Sequence, residues 1–228
     1  MTSTGVILDS GGVLIRPIGG QWFPPAAFGE VLVSRGITYD ESLLPAALSA
    51  AWAYLDEVHS TPLIDESGER AQFVEYHRRL LAGVEAVGDR TALAEEIDAL
   101  NRSRLPVEVF DWTVPVLQAL AERAIPVVIL SDAWPSLRRH YRELGLDNFI
   151  RGMVISAEEG MSKPHPAVYA KAMELLGSDT AAFVDDWVGN VRAGNAVGLR
   201  GIHLLHADDE ADGSLETIGD LTELLQLI

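Results

Sequence analysis

From residue 113 onward the sequence alternates between two hydrophobic periodicities, and that alternation restricts the fold more than any other feature. Short apolar runs rich in β-branched residues, bounded by turn signals, occur at Pro126–Leu130, Met153–Ile155, Ala181–Val184 and Arg200–Leu205, with a further one at Gly5–Leu8. Each has the length of a buried strand. Helical patterns lie between the later runs, over Thr113–Arg123, Pro135–Leu144, Ala167–Leu176 and Val188–Val197. Several stop at or near a glycine, namely Gly145, Gly177 and Gly198, a residue that readily ends a helix. Strand alternating with helix predicts an α/β, Rossmann-like parallel sheet with helices on both faces, because parallel neighbours need a crossover that packs back onto the sheet.

The stretch from about Trp22 to Leu105 breaks this rhythm. Phe28–Ser34, Ser42–Glu57, Glu66–Leu81 and Thr91–Ser103 read as helices, with no convincing strand between them. The expectation is a small all-helical domain over residues 17–105, inserted into an α/β core made of residues 1–16 and 106–228. The "RPIGGQWFPP" stretch from Arg16 to Pro25, and Pro106, are the expected hinges. Trp22, Phe23, Trp52, Tyr54, Phe73 and Tyr76 would supply the insertion's own core. At the other end, "HADDEADG" reads as a solvated loop, and "SLETIGDLTELLQLI" as a short strand or extended segment leading into a closing helix. With 228 residues, 48% of them hydrophobic, the chain can bury a substantial interior.

Charge and composition exclude several function classes. Seventeen Lys and Arg face 34 Asp and Glu, a formal net charge of −17, so the summed field repels a nucleic-acid backbone. A small phosphorylated molecule remains acceptable where backbone N–H groups and a local cation outweigh that field. The absence of cysteine removes disulfides, thiolate nucleophiles and Cys-based zinc sites. No basic N-terminal region precedes an apolar stretch, and no apolar run is long enough to span a bilayer, so the expectation is a cytoplasmic protein without a membrane partner. Oligomeric state leaves no mark on the sequence.

In an open parallel sheet, ligands bind at the carboxyl ends of the strands. Asp9 follows the first strand in "VILDSGGVL", with Gly11 and Gly12 close behind. Ser131 and Asp132 follow the second in "VVILSDAW", and Asp185 and Asp186 follow the fourth in "AAFVDDWVGN". Lys163, in "GMSKPHPAVY", precedes a helix that Pro164 and Pro166 help to start. Convergent carboxylates suit Mg²⁺, which takes a few acidic ligands and bridges to phosphate oxygens. A carboxylate can also attack phosphorus to give an aspartyl phosphate that water then hydrolyses. The lysine offsets charge, the hydroxyl and neighbouring N–H groups hold phosphoryl oxygens, and glycines after the nucleophile let the backbone come close to ligand or metal.

These four segments, in this order on these strand ends, resemble the haloacid dehalogenase-like hydrolases, a superfamily dominated by Mg²⁺-dependent phosphatases. The resemblance covers nearly the whole chain. It implies that Asp9 in "DSGGV" is the nucleophile and a metal ligand, and that Ser131 is the phosphate-binding hydroxyl, with Asp132 and Gly12 beside it. It likewise implies that Lys163 is the third-motif lysine, that Asp186 with its neighbour Asp185 belongs to the metal site, and that Asn190 supports them from the first turn of the next helix. The Gly11 carbonyl would also face the metal. The helical insertion resembles the family's cap, which closes over the site and selects substrate. Two positions depart from the family pattern. Gly11 stands where the family has a second aspartate, its general acid and base, and Asp132 stands where many relatives have Asn.

The leading expectation is therefore a Mg²⁺-dependent phosphatase of small phosphorylated metabolites working through an aspartyl phosphate. A 2-haloacid dehalogenase is the alternative, since a halide leaves without a proton and Gly11 is then no handicap, although such relatives typically carry an aromatic residue at that position. A third reading is a catalytically weak relative that binds a phosphorylated ligand or a protein partner. Each acidic residue also has a simpler explanation as a helix cap or turn former. His59, an isolated histidine of the insertion, is a candidate replacement acid or base, but such a residue usually packs or faces water, and His165 beside Lys163 reads as a loop position.

Overall fold

The computed structural model describes residues 4–207 and 209–228. The chain opens with β1 (Thr4–Leu8) and the short β2 (Ile15–Pro17), then runs through α1 (Ala26–Ser34), α2 (Leu44–His59), α3 (Glu66–Gly83) and α4 (Arg90–Arg102). It returns through β3 (Val107–Val109), which pairs with β2 in a two-stranded sheet. Alternation then begins with α5 (Thr113–Glu122), β4 (Val127–Ser131), α6 (Leu137–Glu143), β5 (Gly152–Ile155), α7 (Ser156–Glu159) and α8 (Pro166–Leu176). It continues through β6 (Thr180–Asp185), α9 (Val188–Ala196), β7 (Arg200–Leu204), β8 (Glu216–Ile218) and α10 (Leu224–Leu227).

Six strands form one parallel sheet in the order β5-β4-β1-β6-β7-β8. The central strands are apolar on both sides because both faces are covered. Val6, Ile7 and Leu8 are fully buried, as is all of β4. On one face Ile7, Val128, Leu130 and Phe183 pack against Tyr169, Ala172 and Leu176 of α8 in a continuous core. This is the Rossmann-like α/β architecture that the alternating periodicity predicts.

The chain divides into two compact units, Met1–Arg16 with Val109–Ile228, and Pro17–Glu108. The division falls within β3, a few residues past the expected bound at 105, and a strand of three residues is too short to leave a period in the sequence. Within this helical unit α3 packs between α2 and α4, burying Ala51, Leu55, Tyr76, Leu80, Leu93 and Ile97. Asp65 and Asp89 cap α3 and α4 by accepting backbone N–H groups of their first turns. Phe23, Trp52, Phe73 and Tyr76 pack edge-on or stacked on one another. Arg102 holds the buried Asp98 and Glu69 at 3.1 and 3.4 Å. The Tyr76 hydroxyl and both His77 ring nitrogens are buried without a hydrogen-bond partner.

Candidate active site

Sheet topology selects the place. The chain leaving β1 goes toward β4, whereas the chain leaving β6 goes toward β7 on the opposite side, so a crevice opens at the carboxyl ends of β1 and β6. The parallel register pairs Leu8 with Val184, and the next residues on the two strands are Asp9 and Asp185. Asp9 N–H donates to the Val184 carbonyl at 2.9 Å, which fixes the end of β1 against β6. Ser131 closes β4, the other neighbour of β1, and is buried.

Lys163 occupies the centre. Its ammonium lies 2.9 Å from Asp9 Oδ1 and 2.6 Å from Asp185 Oδ2, with the side chain 1% exposed. Asp185 also accepts the Trp187 N–H at 2.8 Å and the Asn190 amide at 3.1 Å on each oxygen. Its four lone-pair positions are thereby engaged. Asn190, in the first turn of α9, is buried, and its carbonyl accepts the Tyr169 hydroxyl at 3.0 Å. Asp132 accepts the Lys163 backbone N–H at 2.9 Å. The carboxylate that departs from the family pattern is thus turned onto the main chain of the lysine loop.

Asp186 completes the arrangement from above Gly12. Gly12 has φ of 77°, and the Asp186 carboxylate stands where a Cβ on residue 12 would be. Its carbonyl accepts His203 Nε2–H at 3.0 Å, and its carboxylate lies 3.8 Å from His206 Nε2. The His206 ring stacks on Phe110, which stacks on Trp112, and Trp112 Nε1–H donates to the Val13 carbonyl.

Burial pushes the Asp9 carboxyl up to about 8; Lys163 opposes this, while Asp185 and Asp186 add to it. Burial lowers Lys163, but the fields of Asp9, Asp185 and Asp132 outweigh it and raise the group, so the ammonium is retained. Burial, with Asp185 adding to it, also raises Asp186. One oxygen from each of Asp9, Asp185 and Asp186 lies within 4.8 Å of the others. Three acids around one ammonium, all offering hard oxygen donors, form a set that a divalent cation would complete. Because Asp185 is already engaged, Asp9 and Asp186 are the carboxylates with acceptor capacity to spare.

The structure therefore gathers Asp9, Lys163, Asp185, Asp186, Asn190, Gly12 and Asp132, and sets Ser131 on the adjacent strand end. His165 caps α8, its Nδ1 accepting the Ala167 N–H, and His59 is the last residue of α2 in the helical unit. Three participants escaped the sequence reading. Ser10 lies inside "DSGGV" at a position whose side chain the family pattern does not specify, and Tyr141, whose hydroxyl donates to Ser10 Oγ, lies in no motif. His206 sat in a stretch read as a solvated loop, although its place two residues beyond β7 fits the strand-end rule that found the acids.

The model of the haloacid dehalogenase-like hydrolase family matches residues 4–198, and the chain belongs to that family. A search of curated proteins found no match. Among solved structures the chain is similar to a 2-haloacid dehalogenase from Pseudomonas syringae pv. Tomato DC3000, with 18% identity, a TM-score of 0.70, and coverage of 99% of this chain and 97% of that one. It is also similar to a HAD phosphatase from Thermococcus onnurineus, with 16% identity, a TM-score of 0.62, and coverage of 98% and 97%. YfnB from Bacillus subtilis, in a magnesium-bound structure, gives 13% identity, a TM-score of 0.68, and coverage of 100% and 99%. These likenesses carry the fold. Among the described residues no helix is long and apolar enough to cross a membrane.

Proposed function

We propose that this hydrolase is a phosphatase of small phosphorylated metabolites, dependent on Mg²⁺ held by Asp9, Asp186 and the Gly11 carbonyl. The observation that carries the reading is the placement of Asp186 over a residue without a side chain, within reach of Asp9, while Asp185 is fully occupied by Lys163, Trp187 and Asn190. Displacing a halide needs one carboxylate nucleophile; a second carboxylate with free acceptor capacity fits a cation bound next to phosphate.

In this reading Asp9 attacks phosphorus, the ester P–O bond breaks, and an aspartyl phosphate forms on Asp9. Water then attacks that phosphorus, releasing phosphate and restoring the carboxylate. Lys163 holds the attacking carboxylate and offsets charge on the phosphoryl group, and Ser131 with nearby N–H groups binds its oxygens. Asp132 acts on the lysine loop rather than on substrate. Bound Mg²⁺ would supply charge neutralisation at the transferring phosphoryl oxygens. Asn190 and the Trp187 N–H keep Asp185 fixed so that it in turn fixes Lys163.

Gly11 favours the second reading, a 2-haloacid dehalogenase, because no side chain at that position can protonate a leaving alkoxide. One experiment separates the two. Phosphate release is measured over phosphorylated sugars, nucleotides and acids, and halide release over 2-haloacids, each with Mg²⁺ and with chelator. Chelator-sensitive phosphate release is expected. Halide release indifferent to chelator would assign the chain to the other chemistry.

A further inference from the structure

Behind the nucleophile lies a contact that no motif announces. Tyr141, on α6, is fully buried, and its hydroxyl donates to Ser10 Oγ at 2.9 Å across a separation of 131 residues. Ser10 is 1% exposed and follows Asp9 directly. Its N–H lies 2.7 Å from Asp9 Oδ1, and its carbonyl accepts the N–H groups of Val13, Leu14 and Ile15. The residue after Asp9 is thus fixed at its main chain by the glycine turn and at its side chain by one phenol.

We propose that Tyr141 is a positioning residue for Asp9, acting through the Ser10 hydroxyl; the proposal rests on the reading that Asp9 is the nucleophile. Both groups are sealed from solvent and neither can touch a substrate. Phenylalanine would fill the same volume, so what the hydroxyl adds is one buried, directional bond to the residue that carries the Asp9–Ser10 peptide. The turn holds the Ser10 carbonyl, and the Tyr141 bond adds a second, side-chain restraint on the same residue, so that the Asp9–Ser10 peptide is held from both sides and the Asp9 carboxylate stays on Lys163. A displacement of the attacking oxygen by a fraction of an ångström lowers the rate while leaving substrate affinity in place.

The test uses the full chain as wild type, Tyr141→Phe, Ser10→Ala and the double variant. Steady-state kinetics on an aryl phosphate are paired with melting temperatures and with fluorine NMR of the beryllium fluoride adduct, which mimics an aspartyl phosphate. Each single variant is expected to lose roughly ten-fold in kcat, with KM moving less than about two-fold. The double variant should be no slower than the worse single one, because both remove the same bond. The adduct should form more weakly in the variants; each single variant leaves one buried hydroxyl unpaired and should melt a few degrees lower, while the double variant should recover part of that stability without recovering rate. Wild-type kcat in Tyr141→Phe, or losses that multiply in the double variant, overturns the proposal. So does a rate that recovers with the melting temperature in the double variant, which marks a purely structural role. A wild-type protein that neither hydrolyses phosphate esters nor forms the adduct instead defeats the phosphatase reading, and this proposal with it.

Discussion

The Asp186 carboxylate fills the space that a side chain on Gly12 would need. Residue 12 is also left-handed, with φ of 77°, a conformation that costs an L-residue stability. Gly12→Ala therefore carries two penalties, backbone strain and displacement of Asp186. It should lower kcat by roughly 10²-fold and raise the Mg²⁺ concentration for half-maximal activity, while unfolding free energy falls by about 1–2 kcal/mol. A metal titration identical to wild type would show that Asp186 does not need this approach.

Asp9→Asn removes both the nucleophile and a charged ligand. Turnover should fall by roughly 10³-fold or more, with no phosphoenzyme trapped on acid quench. Asp186→Asn should act differently, shifting the metal titration upward with a smaller loss at saturating Mg²⁺. Retention of activity within a few-fold in Asp9→Asn would remove that residue from the mechanism.

Gly11 makes the leaving group decisive. A positioned general acid contributes about 10²–10⁴-fold, most where the departing oxygen is strongly basic. Wild type should therefore prefer aryl or acyl phosphates to alkyl phosphates steeply, and Gly11→Asp should raise rates selectively on the alkyl esters. The left-handed position falls on Gly12, which leaves residue 11 as the place to introduce the carboxylate. Equal wild-type rates on both ester classes, together with no gain in a folded Gly11→Asp protein, would mean that another group supplies the proton.

His77 gives the helical unit an acid sensitivity of its own. Burial, with Arg102 adding to it, pushes the imidazole down to about 3 from 6.5. The unfolded chain takes up a proton below about pH 6.5 while the folded protein does not, so stability is lost as pH falls through that window toward 3. At pH 5 the loss is about 2 kcal/mol. Urea unfolding as a function of pH should show this slope, and His77→Phe should flatten it. The same substitution removes two unpartnered polar atoms, so stability at pH 7 should rise by about 1 kcal/mol.

The sheet and the acids were legible because each depends on a local signal: a β-branched run of strand length, and a carboxylate directly after it. Asp9, Lys163, Asp185 and Asp186 meet because a parallel register aligns strand ends, and the sequence displays those ends. Orientation was not legible. Nothing in "LSDAW" states that Asp132 turns onto the Lys163 main chain, and nothing in "DDWVGN" states that Asp185 spends all its lone pairs while Asp186 does not. Those outcomes depend on where α8 and α9 begin in three dimensions. Tyr141 was hidden for the same reason, since a helical tyrosine looks like any other core residue until its hydroxyl is seen to have a single partner.

The order of strands has a consequence for how the chain is made. β1 lies between β4 and β6, and its nearest partner in sequence pairs Val6 with Val127. During synthesis the first strand must wait, unpaired, until more than half the chain has emerged, whereas α1 to α4 contain all their mutual contacts and can assemble in the interval. Folding of the sheet is then limited by closure of a very long loop, which a preformed helical unit shortens. A nascent chain stopped near residue 125 would hold a folded insertion and a bare apolar strand, the species most exposed to aggregation.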